Sequence, residues 1–319
     1  MTAKKRDHGG GLDAAITRYG GSRIGWIDLS TGINPHPFPV PPLPADAWSA
    51  LPDHGAQTAL TDAARRFWQV PDGADILAAP GASALIAAMP ALSPDGTVVI
   101  PAPTYNEHAA AFRAAGEPVE TEGTEAAVQV LVHPNNPDGR LWQRDNFPAR
   151  DPALTVIDES FCDICPDASH IDLAATPGHV ILKSFGKFWG LAGMRLGFAI
   201  ARPEIIADLR DRIGPRAVSG PALHTGAAAL QDNDWATATR HRLTADSARL
   251  DALMAADGAE CIGGTSLFRL YRVPDAAALQ HRLAGHHIWS RIFPWSDTWI
   301  RLGLPATIHW PRVEAALRA

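Results

Sequence analysis

The sequence predicts an α/β protein with a mostly parallel central sheet, helices on both faces of that sheet, and a smaller α+β domain. The main observation is that short apolar runs alternate with alanine-rich helical segments from Asp75 onward. Such runs are typical of parallel strands that are buried on both faces and joined by helical crossovers. A second group of short strands and helices follows residue 257. With 319 residues, of which 46% are hydrophobic, the chain can bury a core in each part.

The first 45 residues are rich in glycine and proline, which predicts an extended arm and not a pair of helices. A helix is expected over 58–68. The large domain then reads as strands 75–79, 97–100, 127–132, 154–158, 180–185 and 195–201, with helices from residue 83 and over 107–115. A long amphipathic helix over 234–257 precedes strands 266–273, 288–292 and 299–302 and helices 275–285 and 311–318. We therefore expect a large domain over 46–215, and an arm and small domain over 1–45 and 216–319.

Charge and hydropathy argue against several classes of protein. The net charge of −6 and the pI near 6.1 are unlike those of nucleic-acid-binding domains, which usually present a basic face. The basic run Lys4-Lys5-Arg6 is expected to be a solvated terminus. No signal-peptide core follows it, and no run approaches the roughly 18 apolar residues of a membrane span, so the expected location is the cytoplasm.

Three cysteines are too few for a disulfide framework. Cys162 and Cys165 form a CxxC pair, a pattern that occurs in zinc sites and in redox sites. A structural zinc site requires four ligands, and only Cys261 and scattered histidines remain. No metal site is therefore predicted.

Polar and aromatic residues follow the predicted strands at their carboxyl ends, where open α/β sheets bind ligands. The turn Gly81-Ala82-Ser83 opens a helix whose backbone N–H groups suit a phosphate, although a plain helix cap has the same composition. Tyr105 follows the second strand, and its ring could stack on a planar ligand or lie at the rim of the core. Asn135 and Asn136 follow the next strand, in a turn of Asn, Pro and Gly.

The next two strands contribute a carboxylate and a lysine. Asp158 ends an apolar strand, so its carboxylate is partly desolvated and needs a cationic partner, which a ligand can supply. Lys187 lies in LKSFGKFWGLAGMRLGF, residues 182–198, on an expected loop between two buried strands. Taken alone, such a lysine is an ordinary surface residue. Held near apolar groups, its amine could instead form a Schiff base with an aldehyde.

Four ordered motifs, PTYNEH, NNPDG, VIDESF and SFGKFWGLAGMRLGF, resemble the fold-type-I pyridoxal-phosphate enzymes of the aminotransferase superfamily. The resemblance implies that Lys187 holds the cofactor and that Asp158, 29 residues earlier, pairs with its pyridine nitrogen. It also implies that Asn136 donates to the phenolate oxygen and that Tyr105 stacks on the ring. The residues that resemble the family's phosphate cup are Gly81, Ala82, Ser83, Ser184 and Arg195.

The amino-terminal motifs HGGG at 8–11 and DLSTGINP at 28–35 are similar to those of the threonine-phosphate decarboxylases of cobalamin biosynthesis, and less like those of histidinol-phosphate aminotransferases. This similarity implies that L-threonine O-3-phosphate is converted to (R)-1-aminopropan-2-yl phosphate and carbon dioxide. Arg301 matches the family arginine for the substrate carboxylate, which a guanidinium binds in bidentate fashion. The candidates for the substrate phosphate are Arg291, His8, the amides of Gly9 and Gly10, and Asn34.

The chain departs from the family pattern at four positions. Relatives place a tyrosine at the position of Leu51 and lend it across a homodimer to the cofactor phosphate, so the resemblance implies a homodimer but leaves that contact in doubt. Gly186 replaces a hydroxylated residue before the lysine, and Asp138 replaces a threonine. Phe161 stands where many aminotransferases carry a tyrosine, so one hydrogen bond to the ring is expected to be absent.

Two other functions remain open on the sequence. An aminotransferase that acts on histidinol phosphate or an aromatic amino acid would use the same residues. A transcriptional regulator built on the same fold would need a basic DNA-binding module, and the first 45 residues and the negative net charge do not provide one.

Overall fold

The computed structural model describes residues 8–318, so the basic run at 4–6 lies outside the described residues. The chain forms two compact units. The large unit comprises Pro37–Asn136 and Arg140–Thr237, and the described part of the small unit comprises 8–36, Pro137–Gly139 and 238–318. The units thus divide after residues 36 and 237, whereas the sequence prediction divides the chain after residues 45 and 215.

The described residues form nine α-helices and thirteen β-strands. The helices α1 to α9 are Leu12–Tyr19, His54–Phe67, Ala82–Ala88, Asn106–Ala114, Pro203–Ile213, Gly220–Ala229, Asn233–Ala256, Ala276–Gly285 and Trp310–Arg318. The strands β1 to β13 are Ile27–Asp28, Asp75–Ala79, Val98–Val99, Val119–Glu120, Val128–Val132, Leu154–Asp158, His179–Ser184, Gly197–Ala201, Glu260–Thr265, Phe268–Arg272, Ile288–Trp289, Arg291–Phe293 and Ser296–Gly303. The predicted elements of the large unit are present, with ends shifted by a few residues.

Helix α1 was not predicted, because the first 45 residues were expected to form an extended arm and not a pair of helices. Its sequence, LDAAITRY, contains neither glycine nor proline, and Gly11 and Gly20 flank it with φ angles of 80° and 79°. Leu12 and Ala15, one helical turn apart, are buried against Trp26. The glycine and proline content was judged over all 45 residues, so this short amphipathic segment was not recognised as a helix.

The large unit contains a seven-stranded sheet in the order β2-β8-β7-β6-β5-β3-β4. Only β8 runs antiparallel to its neighbours, β2 and β7, and the other pairs are parallel. Strands β5 and β6 are buried along their whole length, because α-helices and loops cover the sheet. The predicted mostly parallel α/β sheet is confirmed.

The sheet register aligns the ends of the central strands. Val132, the last residue of β5, pairs with Asp158, the last residue of β6, and Asp158 pairs with Leu182 of β7. Side chains that follow these positions therefore meet at one edge of the sheet, as the sequence predicts.

The small unit contains an antiparallel sheet in the order β12-β13-β10-β9 and a parallel pair of β1 with β11. The predicted strand 266–273 is the second half of a hairpin whose first strand is β9. The predicted strand 288–292 divides between two sheets, as β11 and β12. No described helix is both long and apolar enough to cross a membrane.

Candidate active site

A pocket of about 210 Å³ lies at the carboxyl ends of β5, β6 and β7 in the large unit. Eight residues that the sequence predicts as cofactor ligands line this pocket: Ala82, Ser83, Tyr105, Asn136, Asp158, Ser184, Lys187 and Arg195. They come from five separate segments of the chain, and the strand register brings them together. We call this cavity the large-unit pocket.

Lys187 is held by the packing of the aromatic residues around it. The loop between β7 and β8 begins with Phe185 and continues with Phe188 and Trp189, all fully buried. Trp189 stacks on Phe185 at 5.1 Å between ring centroids, and its indole N–H donates to Asp163 at 2.9 Å. Lys187 Nζ lies 5.2 Å from the centre of the Phe161 ring. The buried rings fix the loop on both sides of Lys187, and its side chain lines the pocket.

The carboxylate of Asp158 is buried and held by two partners. His108 Nε2 lies 2.8 Å from one oxygen, and the backbone N–H and hydroxyl of Ser160 donate to the other at 3.0 and 2.5 Å. Burial alone would raise the pKa of Asp158, but the hydrogen bond and charge of His108 and the bonds from Ser160 lower it. Asp158 is therefore an anion at the pocket wall. Because a carboxylate accepts this hydrogen bond, the proton lies on His108 Nε2.

His108 is a site residue that the sequence reasoning did not identify. It is fully buried, and its Nδ1 atom has no hydrogen-bond partner among the described residues. A signal was present in the sequence, because His108 follows Tyr105 by three positions at the start of α4, and residues at that spacing share a helix face. Their rings meet edge to face at 6.2 Å.

Glycine residues shape the end of the pocket where α3 begins. A Cβ atom at Gly81, whose φ is 88°, would lie 2.4 Å from Nη2 of Arg195. A Cβ atom at Gly197 would lie 2.3 Å from the backbone nitrogen of Ala82. Arg195 itself has a left-handed backbone, with φ 54°, and donates from Nη1 to the Ala192 carbonyl at 3.0 Å. The two glycines therefore allow a guanidinium and the first N–H groups of α3 to lie close together.

The two neighbouring asparagines have different positions. Asn135 is buried, accepts from Thr104 Oγ1 at 2.6 Å and donates to the Pro103 carbonyl at 3.0 Å. It thereby fixes the segment that leads into Tyr105. Asn136 is half-buried and lines the large-unit pocket.

A second buried charge cluster lies beneath the strand ends. Lys183 Nζ is 2.5 Å from Glu159 Oε2 and 3.9 Å from Asp163 Oδ1. Burial alone would lower the pKa of Lys183, but the negative charges, above all that of Glu159, raise it well above its usual value. Lys183 is therefore a permanent ammonium ion, unlike an amine that must act as a nucleophile.

We expect Lys183→Ala to reduce the free energy of unfolding by about 3–5 kcal/mol, because the substitution leaves Glu159 charged, buried and unpaired. Urea denaturation of the holoprotein measures this change. The matched control is Arg144→Ala, which removes the half-exposed Arg144–Asp172 pair and should cost less than about 1 kcal/mol. Equal costs for the two variants would contradict the assignment of a buried ion pair.

The predicted substrate ligands lie in the small unit. Arg301 is buried, pairs in register with Arg291, and donates to the Ser30 carbonyl at 2.6 Å. Burial, and then the positive charge of Arg291, lower the pKa of Arg301 to about 9. Arg301 is still charged at neutral pH, and two adjacent guanidinium groups favour an anionic ligand.

The other four predicted substrate ligands have different surroundings. The Gly10 N–H already donates to Ser30 Oγ at 2.7 Å. A Cβ atom at Gly9 would lie 3.5 Å from Arg301 Nη2, so Gly9 adjoins this arginine. The buried Asn34 side chain accepts from Arg242 Nη2 at 2.7 Å and from the His36 N–H at 3.0 Å. Arg242 is a further residue that the sequence reasoning did not identify. His8 is exposed.

A model of the family "Aminotransferase class I and II" matches residues 45–319. The chain is 40% identical to a threonine-phosphate decarboxylase from Sinorhizobium sp., over 93% of this chain and 92% of the relative. It is 38% identical to a threonine-phosphate decarboxylase from Pseudomonas aeruginosa, over 98% of this chain and 97% of the relative. A crystal structure of histidinol-phosphate aminotransferase from Sinorhizobium meliloti, in complex with pyridoxal-5'-phosphate, has the same fold. Its TM-score is 0.81 at 18% identity, over 97% of this chain and 93% of that one.

Proposed function

Because the chain belongs to the aminotransferase class I and II family, we infer that it is a pyridoxal-phosphate-dependent carboxy-lyase. Its reaction converts L-threonine O-3-phosphate to (R)-1-aminopropan-2-yl phosphate and carbon dioxide. The observation that carries this conclusion is the identity of 38–40%, over more than nine tenths of the chain, to two threonine-phosphate decarboxylases. We propose that the product serves cobalamin biosynthesis, as the resemblance in the amino-terminal motifs implies.

The donors of the large-unit pocket fit pyridoxal phosphate. Lys187 offers an amine to the aldehyde, and the buried anion Asp158 suits a protonated ring nitrogen. The start of α3 and Arg195 offer N–H donors to a phosphate. Because Gly81 has no side chain, the Arg195 guanidinium can lie beside it. When bound, pyridoxal phosphate supplies an electron sink for the pair left by a bond broken at the substrate Cα.

We propose that Lys187, Asp158 and Tyr105 are the catalytic residues. Lys187 would hold the cofactor through its Nζ amine. The substrate carbon that loses carbon dioxide must gain a proton, and Lys187 Nζ is our candidate to deliver it. Asp158 holds a proton on the pyridine nitrogen, and His108 keeps that carboxylate ionised and oriented.

The remaining residues of the pocket position the cofactor. We propose that Tyr105 stacks on the ring and that Asn136 donates to its phenolate oxygen. Phe161 contributes only its ring face, over which Lys187 Nζ lies, so it offers no hydrogen bond there. The proposed ligands of the cofactor phosphate are Gly81, Ala82, Ser83, Ser184 and Arg195.

For the substrate, we propose that Arg301 binds the α-carboxylate. Its burial and the adjacent charge of Arg291 support an anion as ligand. Arg291, His8, Gly9 and Asn34 stay our candidates for the substrate phosphate. We also propose a homodimer, which is supported by the exposure of two large apolar side chains, Trp48 at 80% and Leu51 at 69%.

The function is tested by incubating the purified holoprotein with L-threonine O-3-phosphate, without a 2-oxo acid, and measuring carbon dioxide. We expect release of carbon dioxide in proportion to phosphorylated amine formed. L-threonine is the control substrate and should be turned over far more slowly, because it lacks the phosphate. Turnover that requires a 2-oxo acid and releases no gas would show instead that the protein is an aminotransferase.

A further inference from the structure

Two thiols lie in the turn that follows β6 and its last residue, Asp158. Cys162 is buried and Cys165 is half-buried. The Cys165 N–H donates to the Cys162 carbonyl at 2.8 Å, and Cys162 Sγ lies 3.7 Å from the Cys165 carbonyl oxygen. A turn closed in this way keeps its end Cα atoms within about 7 Å, and disulfides span roughly 4.4–6.8 Å between Cα atoms. The turn therefore holds the two Cα atoms at a separation that a disulfide can span.

This cluster is poorly suited to a metal ion. The ligand atoms of His133, Glu159 and Cys162 lie within 4.8 Å of one another, but the first two are already engaged. His133 Nδ1 accepts from the Trp142 N–H at 3.0 Å, and its Nε2 lies 2.7 Å from a backbone carbonyl. Glu159 is paired with the Lys183 ammonium. A metal cation would have to displace the Lys183 ammonium from Glu159. The two cysteines are therefore better suited to thiol chemistry than to metal binding.

The two thiols are unequal in acidity and in access. The hydrogen bond between them, and then burial, raise the pKa of the Cys162 thiol. The same hydrogen bond lowers the pKa of the Cys165 thiol, in spite of burial and of the negative charge of Glu159. Thiolates are the nucleophiles in exchange with disulfides. Cys165, which is both the more acidic and the more accessible of the two, is therefore the attacking residue, and Cys162 is the resolving one.

We propose that Cys162 and Cys165 form a redox-active dithiol that exchanges with small disulfides such as glutathione disulfide. The Cys165 thiolate attacks one sulfur of glutathione disulfide, which forms a mixed disulfide and releases one glutathione thiolate. Cys162 then loses its proton and attacks Cys165 Sγ, which releases the second glutathione. In total the protein loses two protons and two electrons, and one glutathione disulfide becomes two glutathione thiols.

The experiment exposes the holoprotein to glutathione disulfide, blocks free thiols with N-ethylmaleimide, and maps the peptides by mass spectrometry. We expect the peptide with Cys162 and Cys165 to lose two hydrogen atoms and both maleimide labels, and dithiothreitol to restore them. Cys261, which is exposed and contacts Arg269, is the internal control thiol without a neighbouring cysteine. This readout is independent of decarboxylation, so its failure and failure of the proposed function are distinguishable.

Two variants test the order of attack. Cys162→Ser should trap glutathione on Cys165 as a stable adduct, because no second thiol resolves it. Cys165→Ser should leave Cys162 without an adduct, because Cys162 is buried. The proposal is overturned if the wild-type protein keeps both thiols free while Cys261 reacts, or if it accumulates a persistent glutathione adduct on either cysteine.

Discussion

Replacement of Lys187 by alanine is expected to lower the rate of decarboxylation by roughly 10⁴- to 10⁶-fold, the scale on which enzymes lose activity without their covalent nucleophile. The chain has four lysines, at positions 4, 5, 183 and 187. The first two lie outside the described residues, and Lys183 is fixed as an ammonium ion by Glu159. Among the described residues, Lys187 is therefore the amine available to attach the cofactor.

Two measurements check this prediction. Activity is assayed with saturating cofactor, and the cofactor is fixed to the wild-type protein with borohydride before peptide mapping. We expect the reduced adduct on Lys187 in the wild type and no covalent adduct in Lys187→Ala. An adduct on another lysine would show that the wrong residue has been assigned.

Asp158→Asn is expected to lower kcat/KM by about 10²- to 10³-fold, the cost of removing one preorganised charge from a site. Asparagine has nearly the same shape as aspartate but carries no negative charge. It therefore cannot stabilise a protonated pyridine nitrogen. The matched control is Ser160→Ala, which removes one hydrogen bond to the same carboxylate and leaves the charge. The prediction is wrong if the two variants lose similar activity.

The same variant should also change how stability depends on pH. Since the pKa of Asp158 is lower in the folded protein than the unfolded value of about 3.9, its ionised form stabilises the fold above about pH 4. That contribution is lost as the pH falls through the folded pKa. Urea denaturation at neutral pH and below about pH 4 should therefore show a smaller acid loss for Asp158→Asn than for the wild type. A wild-type free energy of unfolding that does not fall in acid would contradict the lowered pKa.

Local pattern was sufficient to predict six of the seven strands of the large-unit sheet, and it missed the edge strand β4. The predicted strands are continuous apolar runs, and such runs between helices fit a parallel sheet and few other structures. The same reasoning predicted that Asp158 and Lys187 follow neighbouring strands and face one edge. It was least successful where the apolar signal is weak or interrupted, as in α1 and in the strands β11 and β12.

Two parts of the site required tertiary structure. His108 is hydrogen-bonded to Asp158, which lies 50 residues later in the sequence. No local sequence pattern predicts which buried carboxylate a helix side chain will contact. The Lys183–Glu159 pair is likewise formed by a side chain of β7 and the residue that follows β6. The sequence alone shows two lysines, Lys183 and Lys187, in one motif. Only the resemblance to the family then indicates which of them holds the cofactor.

The sequence by itself determined the order of strands and turns, the residues at the strand ends, and the family that they resemble. These properties are local, because hydrophobic periodicity and turn composition depend on neighbours along the chain. Only the tertiary structure decided which lysine is paired and which carboxylate is held ionised. Charge and protonation depend on burial and on partners distant in sequence, and those are properties of the packed chain.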